Sequence, residues 1–94
     1  MIVRGVAHKG LRRFMATGSA AGLPAAFAEK IRNILTFLQE MEQADDVLRI
    51  PVWRAHRLAG ARRGTWSLVV SRNWRITFRV AAGEIVDLDF EDYH

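Results

Sequence analysis

Residues 66–80 read Trp-Ser-Leu-Val-Val-Ser-Arg-Asn-Trp-Arg-Ile-Thr-Phe-Arg-Val. Residues 66–70 are rich in β-branched and aromatic side chains, and residues 74–80 alternate between apolar and polar ones. Both patterns are typical of strands, because successive side chains of a strand point to opposite faces of its sheet. Ser71-Arg72-Asn73 fits the loop of a hairpin. This segment therefore predicts two antiparallel strands with one buried face and one face that carries Arg75, Thr77 and Arg79.

The strand pattern continues beyond this hairpin. Ala82-Gly83 predicts a second hairpin loop, and residues 84–91 predict a third strand. In that strand we expect Val86, Leu88 and Phe90 to face inward and Asp87 and Asp89 to face outward. Trp66 and Trp74 are candidates for stacking on nucleobases, but tryptophans in alternating strands are more often core residues, and we interpret both as core.

The N-terminal half has helical periodicity instead. Residues 2–6 predict a short first strand, and Leu11, Phe14 and Met15 recur at the spacing of a helix that ends at Gly18. Residues 18–24 predict a turn, with Pro24 at the first position of a second helix. A short helical turn or an irregular crossing is expected over residues 45–51, ending before Pro51. The second helix has one apolar stripe, formed by Phe27, Ile31, Ile34, Leu35, Leu38 and Met41.

This order of elements predicts an α+β fold of two layers, with N-terminal helices packed on an antiparallel β-sheet. At 94 residues, the chain is long enough for one core, so we expect residues 1–94 to form a single domain. The absence of cysteine excludes a disulfide scaffold, a thiol nucleophile and thiolate metal ligands. No apolar run approaches the roughly 20 residues that span a bilayer, and no signal-peptide core is present, so a soluble cytoplasmic protein without membrane contact is expected.

The charge of the chain favours a polyanionic partner. Lysine and arginine number 14 against 10 acidic residues, a net charge of +4 at pH 7. Guanidinium groups bind phosphate in a bidentate manner that lysine cannot reproduce. A solvated basic surface remains the alternative interpretation. The arginines concentrate in the second half of the chain, as Arg54, Arg57, Arg62, Arg63, Arg72, Arg75 and Arg79.

Candidate catalytic groups occur at the end of the sequence, which reads Glu91-Asp92-Tyr93-His94. If the last two strands pair, these residues lie beside Arg75 at one edge of the sheet; a frayed polar tail is the alternative. A second histidine, His56, precedes the sheet, where a surface or structural role is the alternative. Without cysteines or an H-x-x-x-H spacing we expect no metal site, and without a glycine-rich phosphate loop or a G-x-S-x-G elbow we expect no cofactor.

One reaction requires only these residue types. In metal-free RNA cleavage the ribose 2′-hydroxyl attacks the adjacent phosphate, a base removes its proton, and an acid protonates the leaving 5′-oxygen. Histidine serves as acid or base near neutral pH, and arginine stabilises the charge that develops on the phosphate.

Residues 58–67 read Leu-Ala-Gly-Ala-Arg-Arg-Gly-Thr-Trp-Ser, and Asn73-Trp-Arg-Ile-Thr-Phe78 is followed by the closing Asp92-Tyr-His94. These three segments resemble the HigB and plasmid-maintenance killer protein family. Residues 8–11 and the turn Gly22-Leu-Pro24 also resemble its early part. The resemblance implies a RelE-like fold and a ribosome-dependent endonuclease that cuts mRNA in the 30S A site. It also implies silencing by a HigA-like helix-turn-helix antitoxin, through which alone the toxin would reach operator DNA.

By the same resemblance, His94, Arg75 and His56 are the residues tied to cleavage. Our hypothesis is that Arg75 holds the scissile phosphate, that His94 and His56 share the proton transfers, and that Tyr93 or Asp92 positions them. The chain departs from the family pattern at Ala59, where relatives often have lysine, and near Ser71, where some have arginine. A weakened nuclease, or a module of the same fold that only binds RNA or antitoxin, is the alternative. The candidates to replace the missing cations are Arg57, Arg62, Arg63 and Arg72, and together with Arg79 these are the expected RNA-binding residues.

Overall fold

A computed structural model describes residues 1–93. Two α-helices come first, α1 at Lys9–Thr17 and α2 at Ala28–Glu40. Four strands follow, β1 at His56–Arg57, β2 at Trp66–Val69, β3 at Trp74–Ala81 and β4 at Glu84–Asp92. Short 3₁₀ segments connect them, at Ala25–Phe27, Ala44–Arg49, Pro51–Trp53 and Gly60–Arg62. No helix among residues 1–93 is both long and apolar enough to cross a membrane.

The four strands form one antiparallel sheet in the order β1-β2-β3-β4. The predicted meander of the last three strands is confirmed, and β1, which carries His56, extends it by a short edge strand. Both helices contribute buried residues to the same core as the sheet, among them Leu11, Ile31, Leu68 and Phe78. The predicted two-layer α+β fold is therefore confirmed. Trp66 is buried, and Trp74 is half-buried and stacks on Phe90 with ring centroids 4.6 Å apart.

The inward residues of β4 differ in part from the prediction. Leu88 and Phe90 are buried as expected, but Ile85 fills the core in place of Val86, which is only half-buried. The cause is a bulge: the register shifts between Thr77 and Arg79 of β3, and Asp87 adopts a left-handed conformation with φ 53°. An extra residue in one strand reverses the faces on which the preceding side chains lie.

The predicted first strand at residues 2–6 is wrong. Val3 and Val6 form only isolated parallel bridges, to Ile85 and Leu88 of β4. The bulge in β4 lies between these two partners and interrupts the ladder, so the N-terminal segment follows β4 without becoming a continuous strand.

Helix α1 ends at Gly18 as predicted, where the left-handed φ of 78° closes it. The expectation for Pro24 is wrong, because α2 begins at Ala28. The N–H of Phe27 donates to the carbonyl of Pro24 at 3.0 Å, and this tight turn delays the helix. The crossing over residues 45–51 is a 3₁₀ helix that ends at Arg49, before Pro51, as expected.

Candidate active site

The sheet face away from the helices carries the polar side chains that the sequence singled out. Cross-strand pairing places His56 opposite Ser67 and Ser67 opposite Thr77, and in the next row Val69 opposite Arg75. Directly opposed residues project to the same face. Glu91, the partner of Arg75 on β4, therefore belongs to this face as well. Arg75 and the end of β4 meet at one edge of the sheet, as the sequence predicted.

Part of this face is covered rather than solvated. Ser67 and Thr77 are only 2% and 3% exposed. Leu58 and Arg62, from the segment that links β1 to β2, line the same small cavity as these two residues, and Arg62 reaches Glu91 on β4. Thr77 is thus a buried group and not the solvent-facing residue of an ordinary exposed strand. Its hydroxyl donates to a carboxylate oxygen of Glu91.

A basic hollow of about 660 Å³ opens at the edge of the sheet where β1 begins. No acidic residue is among those of residues 1–93 that line it, and the three arginines come from different segments of the chain. Arg54 precedes β1, Arg72 lies in the β2–β3 hairpin, and Arg75 lies on β3. We call this site the basic hollow; its lining is Val52, Arg54, His56, Val69, Arg72 and Arg75.

Arg75 is held in place by its surroundings. Its Nη1 donates to the carbonyls of Ser71 at 2.7 Å, Trp74 at 3.1 Å and Arg72 at 3.2 Å. Its guanidinium carbon lies 4.6 Å from the centroid of the Tyr93 ring. The N–H of Tyr93 in turn donates to the carbonyl of Asn73 at 2.5 Å. The hairpin loop and the end of β4 therefore fix this guanidinium together.

His56 is exposed on the short edge strand. Its Nδ1 lies 3.0 Å from the carbonyl oxygen of Arg54. Arg54 adopts a left-handed backbone conformation, with φ 45° and ψ 44°, directly after the 3₁₀ turn at Pro51–Trp53. Arg54 belongs to the arginine-rich half of the sequence, but it was not predicted as a site residue. The feature of the sequence that pointed to a role for Arg54 was its position two residues before His56.

Arg62 and Glu91 form a bidentate ion pair, with Nη1–Oε1 at 2.8 Å and Nη2–Oε2 at 2.5 Å. The hydrogen bond from Arg62 holds the pKa of the Glu91 carboxyl below its ordinary value, against the opposing effect of burial, and Thr77 adds a further hydrogen bond. The same pair raises the pKa of Arg62. Arg62 therefore already has an anionic partner within the protein.

The other predicted RNA contacts lie apart from the basic hollow, with the exception of Arg72. Arg79 is paired with Asp87 at 3.4 Å, and the guanidinium of Arg57 lies 5.1 Å from the ring centroid of Trp66. Arg63 lines a different hollow, shared with Arg62 and Arg79 and also with acidic residues of β4. The structure thus brings His56, Arg72 and Arg75 together and leaves Arg57, Arg62, Arg63 and Arg79 outside that group.

The remaining candidates lie at the end of β4. Asp92 pairs with Trp74 across the sheet, and Tyr93 lies beneath Arg75. His94 follows Tyr93 in the sequence and lies outside the described residues. Within residues 1–93, no cluster of three or more His, Asp or Glu side chains is arranged to hold a metal ion.

Comparison with known proteins agrees with this fold. A family model described as a RelE-like toxin of the type II toxin-antitoxin system HigB matches residues 4–94. The protein named Endoribonuclease HigB from Proteus vulgaris is 33% identical over 93 residues, which cover 99% of this chain and 100% of that protein.

Two solved structures have a similar fold at low sequence identity. The toxin YafQ from E. coli aligns with a TM-score of 0.62 at 10% identity, over 98% of this chain and 93% of that one. A YoeB/ParE toxin from Agrobacterium tumefaciens aligns with a TM-score of 0.56 at 17% identity, over 100% and 99%. These structures support the RelE-like fold. The family model, which matches residues 4–94, and the relative that is 33% identical over its full length show that this chain belongs to the HigB-like family of RelE-like toxins of type II toxin-antitoxin systems.

Proposed function

We propose that this chain is an endoribonuclease that cuts mRNA on the ribosome, in the 30S A site, by attack of a ribose 2′-hydroxyl on the adjacent phosphate without a metal ion. The observation that carries the proposal is the basic hollow, where Arg54, Arg72 and Arg75 surround His56 with no acidic residue in the described lining. Such a hollow attracts a phosphate and places a titratable nitrogen beside it. The name of the Proteus relative supports an endoribonuclease activity.

Arg75 holds the scissile phosphate in this proposal. Its guanidinium is fixed by the hairpin carbonyls and by the ring of Tyr93, so little side-chain entropy remains to be lost when a phosphate binds. A fixed cation stabilises the negative charge that develops on the phosphate in the transition state. Tyr93 and Asp92 act as positioning residues at the end of β4. His56 and His94 share the two proton transfers.

The family pattern has two cations that this chain lacks, at Ala59 and near Ser71, and the basic hollow contains candidates to replace them. Ser71 contributes its backbone carbonyl to Arg75, and the neighbouring Arg72 lines the hollow. Arg54 lines it from the segment that precedes β1. We infer that Arg54 and Arg72 supply the cations that Ala59 and Ser71 do not, since attraction of a phosphate depends less on the exact position of a charge than proton transfer does.

The proposed setting is the bacterial cytoplasm. We propose that residues 1–94 act as one toxin domain, that a HigA-like helix-turn-helix antitoxin silences it, and that operator DNA is bound only through that antitoxin. The type II family is the support for an antitoxin partner.

Expression in a bacterium, with and without the antitoxin gene, tests the proposal when the ends of cellular transcripts are mapped. We expect growth arrest and new cuts within translated reading frames, both relieved by the antitoxin and both lost in Arg75→Ala. The matched control is Arg13→Ala, which removes an exposed arginine from α1 in the opposite layer. Growth arrest without new transcript ends, or equal cutting by Arg75→Ala and Arg13→Ala, would contradict the nuclease. Ribosome binding without cutting would identify a binding module.

A further inference from the structure

The backbone of Arg54 is in a conformation that non-glycine residues rarely adopt. Its φ of 45° and ψ of 44° lie in the left-handed region, and its N–H closes the preceding turn by donating to the carbonyl of Pro51 at 3.1 Å. For a residue with a Cβ, this conformation costs about 1–2 kcal/mol. Arg54 lies between the turn at Pro51–Trp53 and strand β1, and its φ and ψ set the direction of its carbonyl.

That carbonyl oxygen lies 3.0 Å from Nδ1 of His56. A carbonyl oxygen can only accept a hydrogen bond, so the proton between the two atoms belongs to Nδ1. A neutral imidazole carries a single N–H, and its other nitrogen, Nε2, is then an acceptor. The contact therefore selects one of the two neutral tautomers of His56.

We propose that Arg54 is the positioning residue of His56, and that it assigns His56 the role of the base, which removes the 2′-hydroxyl proton through Nε2. This inference rests on the proposed nuclease function. It separates the roles of the two histidines: His56 accepts a proton first, and His94 donates one.

The reaction balances with these roles. The 2′-oxygen forms a bond to phosphorus and its proton passes to Nε2 of His56, while the bond from phosphorus to the 5′-oxygen breaks and that oxygen takes a proton from His94. The products are a 2′,3′-cyclic phosphate and a free 5′-hydroxyl. The carbonyl of Arg54 also assists the charged product, because it accepts a hydrogen bond from the imidazolium that His56 becomes.

A series of substitutions at residue 54 separates the backbone from the side chain. Arg54→Gly and Arg54→Asn both remove the guanidinium and retain a residue that tolerates the left-handed region. Arg54→Val removes the same charge but introduces a β-branched residue, for which that region is a genuine outlier. All three variants lose one cation of the basic hollow, and only Arg54→Val displaces the carbonyl. Arg54→Ala is the milder substitute if thermal unfolding shows that Arg54→Val does not fold.

The first measurement is the rate of mRNA cleavage on programmed ribosomes at saturating toxin, together with the toxin concentration that gives half of that rate. We expect the half-saturating concentration to rise alike in all three variants. The saturated rate should fall about 10²-fold further in Arg54→Val than in Arg54→Asn, the loss typical of a misplaced general base. Equal saturated rates in Arg54→Val and Arg54→Asn would overturn the proposal.

The second measurement does not depend on cleavage. In ¹⁵N-histidine-labelled protein in alkaline buffer, the His56 signals should show protonated Nδ1 and bare Nε2 in the wild type and in Arg54→Gly, and a shift toward the other tautomer in Arg54→Val. A wild type with protonated Nε2 would overturn the proposal even if the protein cuts RNA. A wild type with the expected tautomer that cuts no RNA would instead refute the nuclease function and, with it, the assignment of His56 as base.

Discussion

The guanidinium of Arg75 lies over the ring of Tyr93, with 4.6 Å between its carbon and the ring centroid. The two residues come from β3 and from the end of β4, and the same guanidinium donates to carbonyls of the β2–β3 hairpin. Tyr93 is itself tied to that hairpin through the carbonyl of Asn73. The proposed phosphate-binding group is therefore oriented by the segment that immediately precedes His94 in the sequence.

The first prediction concerns the ring of Tyr93. Contact between a guanidinium and an aromatic face contributes about 0.5–2 kcal/mol, equivalent to about 2- to 30-fold in rate. We expect Tyr93→Ala to lower the rate of mRNA cleavage within this range, and Tyr93→Phe, which retains the ring, to lower it much less. Both rates are measured on programmed ribosomes with thermal unfolding as a check of the fold. Equal losses in the two variants would mean that the hydroxyl, rather than the ring, carries the role of Tyr93.

The second prediction concerns His94 as the proposed acid. Loss of a general acid typically lowers a rate by about 10²- to 10⁴-fold. We expect His94→Ala and His94→Gln to abolish growth arrest equally, because a glutamine side chain forms hydrogen bonds but does not transfer a proton near neutral pH. The thermal unfolding midpoint should stay near that of the wild type. Full growth arrest with His94→Gln would show that His94 has no part in proton transfer.

Much of the fold was predictable because its signals are local. The apolar stripe of α2 and the alternation of residues 74–80 each follow from the periodicity of one element. Pairing of the last two strands then placed Arg75 beside Glu91 without any knowledge of the loops. The side chains of β4 that face the core were not all predictable in the same way. The bulge at Asp87 decides which of them point inward, and it depends on how β4 pairs with both β3 and the N-terminal segment.

The candidate site was predictable in part, for residues in and next to the β2–β3 hairpin. Arg72, in the β2–β3 hairpin, and Arg75, on β3, line the basic hollow together with His56. Arg62 was predicted to bind RNA on the same grounds, but it is paired with Glu91 on β4. The two residues are 29 positions apart, so no local pattern reveals this contact. Arg54 was missed because its contribution comes from its backbone conformation, which a sequence does not display for a non-glycine residue.

The third prediction follows from the pairing of Glu91 with Arg62. The pKa of Glu91 is lower in the folded state than in the unfolded state, mainly through the Arg62 hydrogen bond. The ionised carboxylate of Glu91 therefore makes its full contribution to stability above the unfolded-state pKa of about 4.3. This contribution is lost as the pH falls through the lower folded-state pKa. We expect Glu91→Gln to lower the free energy of unfolding by about 1–2 kcal/mol near pH 7 and by much less near pH 3.

The control for this measurement is Glu29→Gln. Glu29 also pairs with an arginine, Arg32, but its side chain is 77% exposed on α2. We expect urea unfolding to show little difference between Glu29→Gln and the wild type at either pH, because exposed pairs on a helix contribute little. If Glu91→Gln had the same effect at both pH values, the charge of Glu91 would not be what stabilises the segment of residues 58–65.

The last prediction concerns the close approach of Gly10 and Gly22, which packs the turn before α2 against the start of α1. A Cβ at Gly10 would collide with the backbone carbonyl of Gly22, and a Cβ at Gly22 would lie 2.8 Å from the Cα of Gly10. Alanine stabilises a helix by up to about 1 kcal/mol relative to glycine, but overpacking against a backbone lowers stability by about 1–3 kcal/mol. Because the steric cost is the larger, we expect Gly10→Ala to lower the free energy of unfolding by about 1–2 kcal/mol. The matched control is Gly5→Ala. A Cβ at Gly5 would lie 3.6 Å from its nearest neighbour, the backbone nitrogen of Asp87, which is an ordinary contact distance. If urea unfolding showed a larger loss of stability for Gly5→Ala than for Gly10→Ala, this packing would be contradicted.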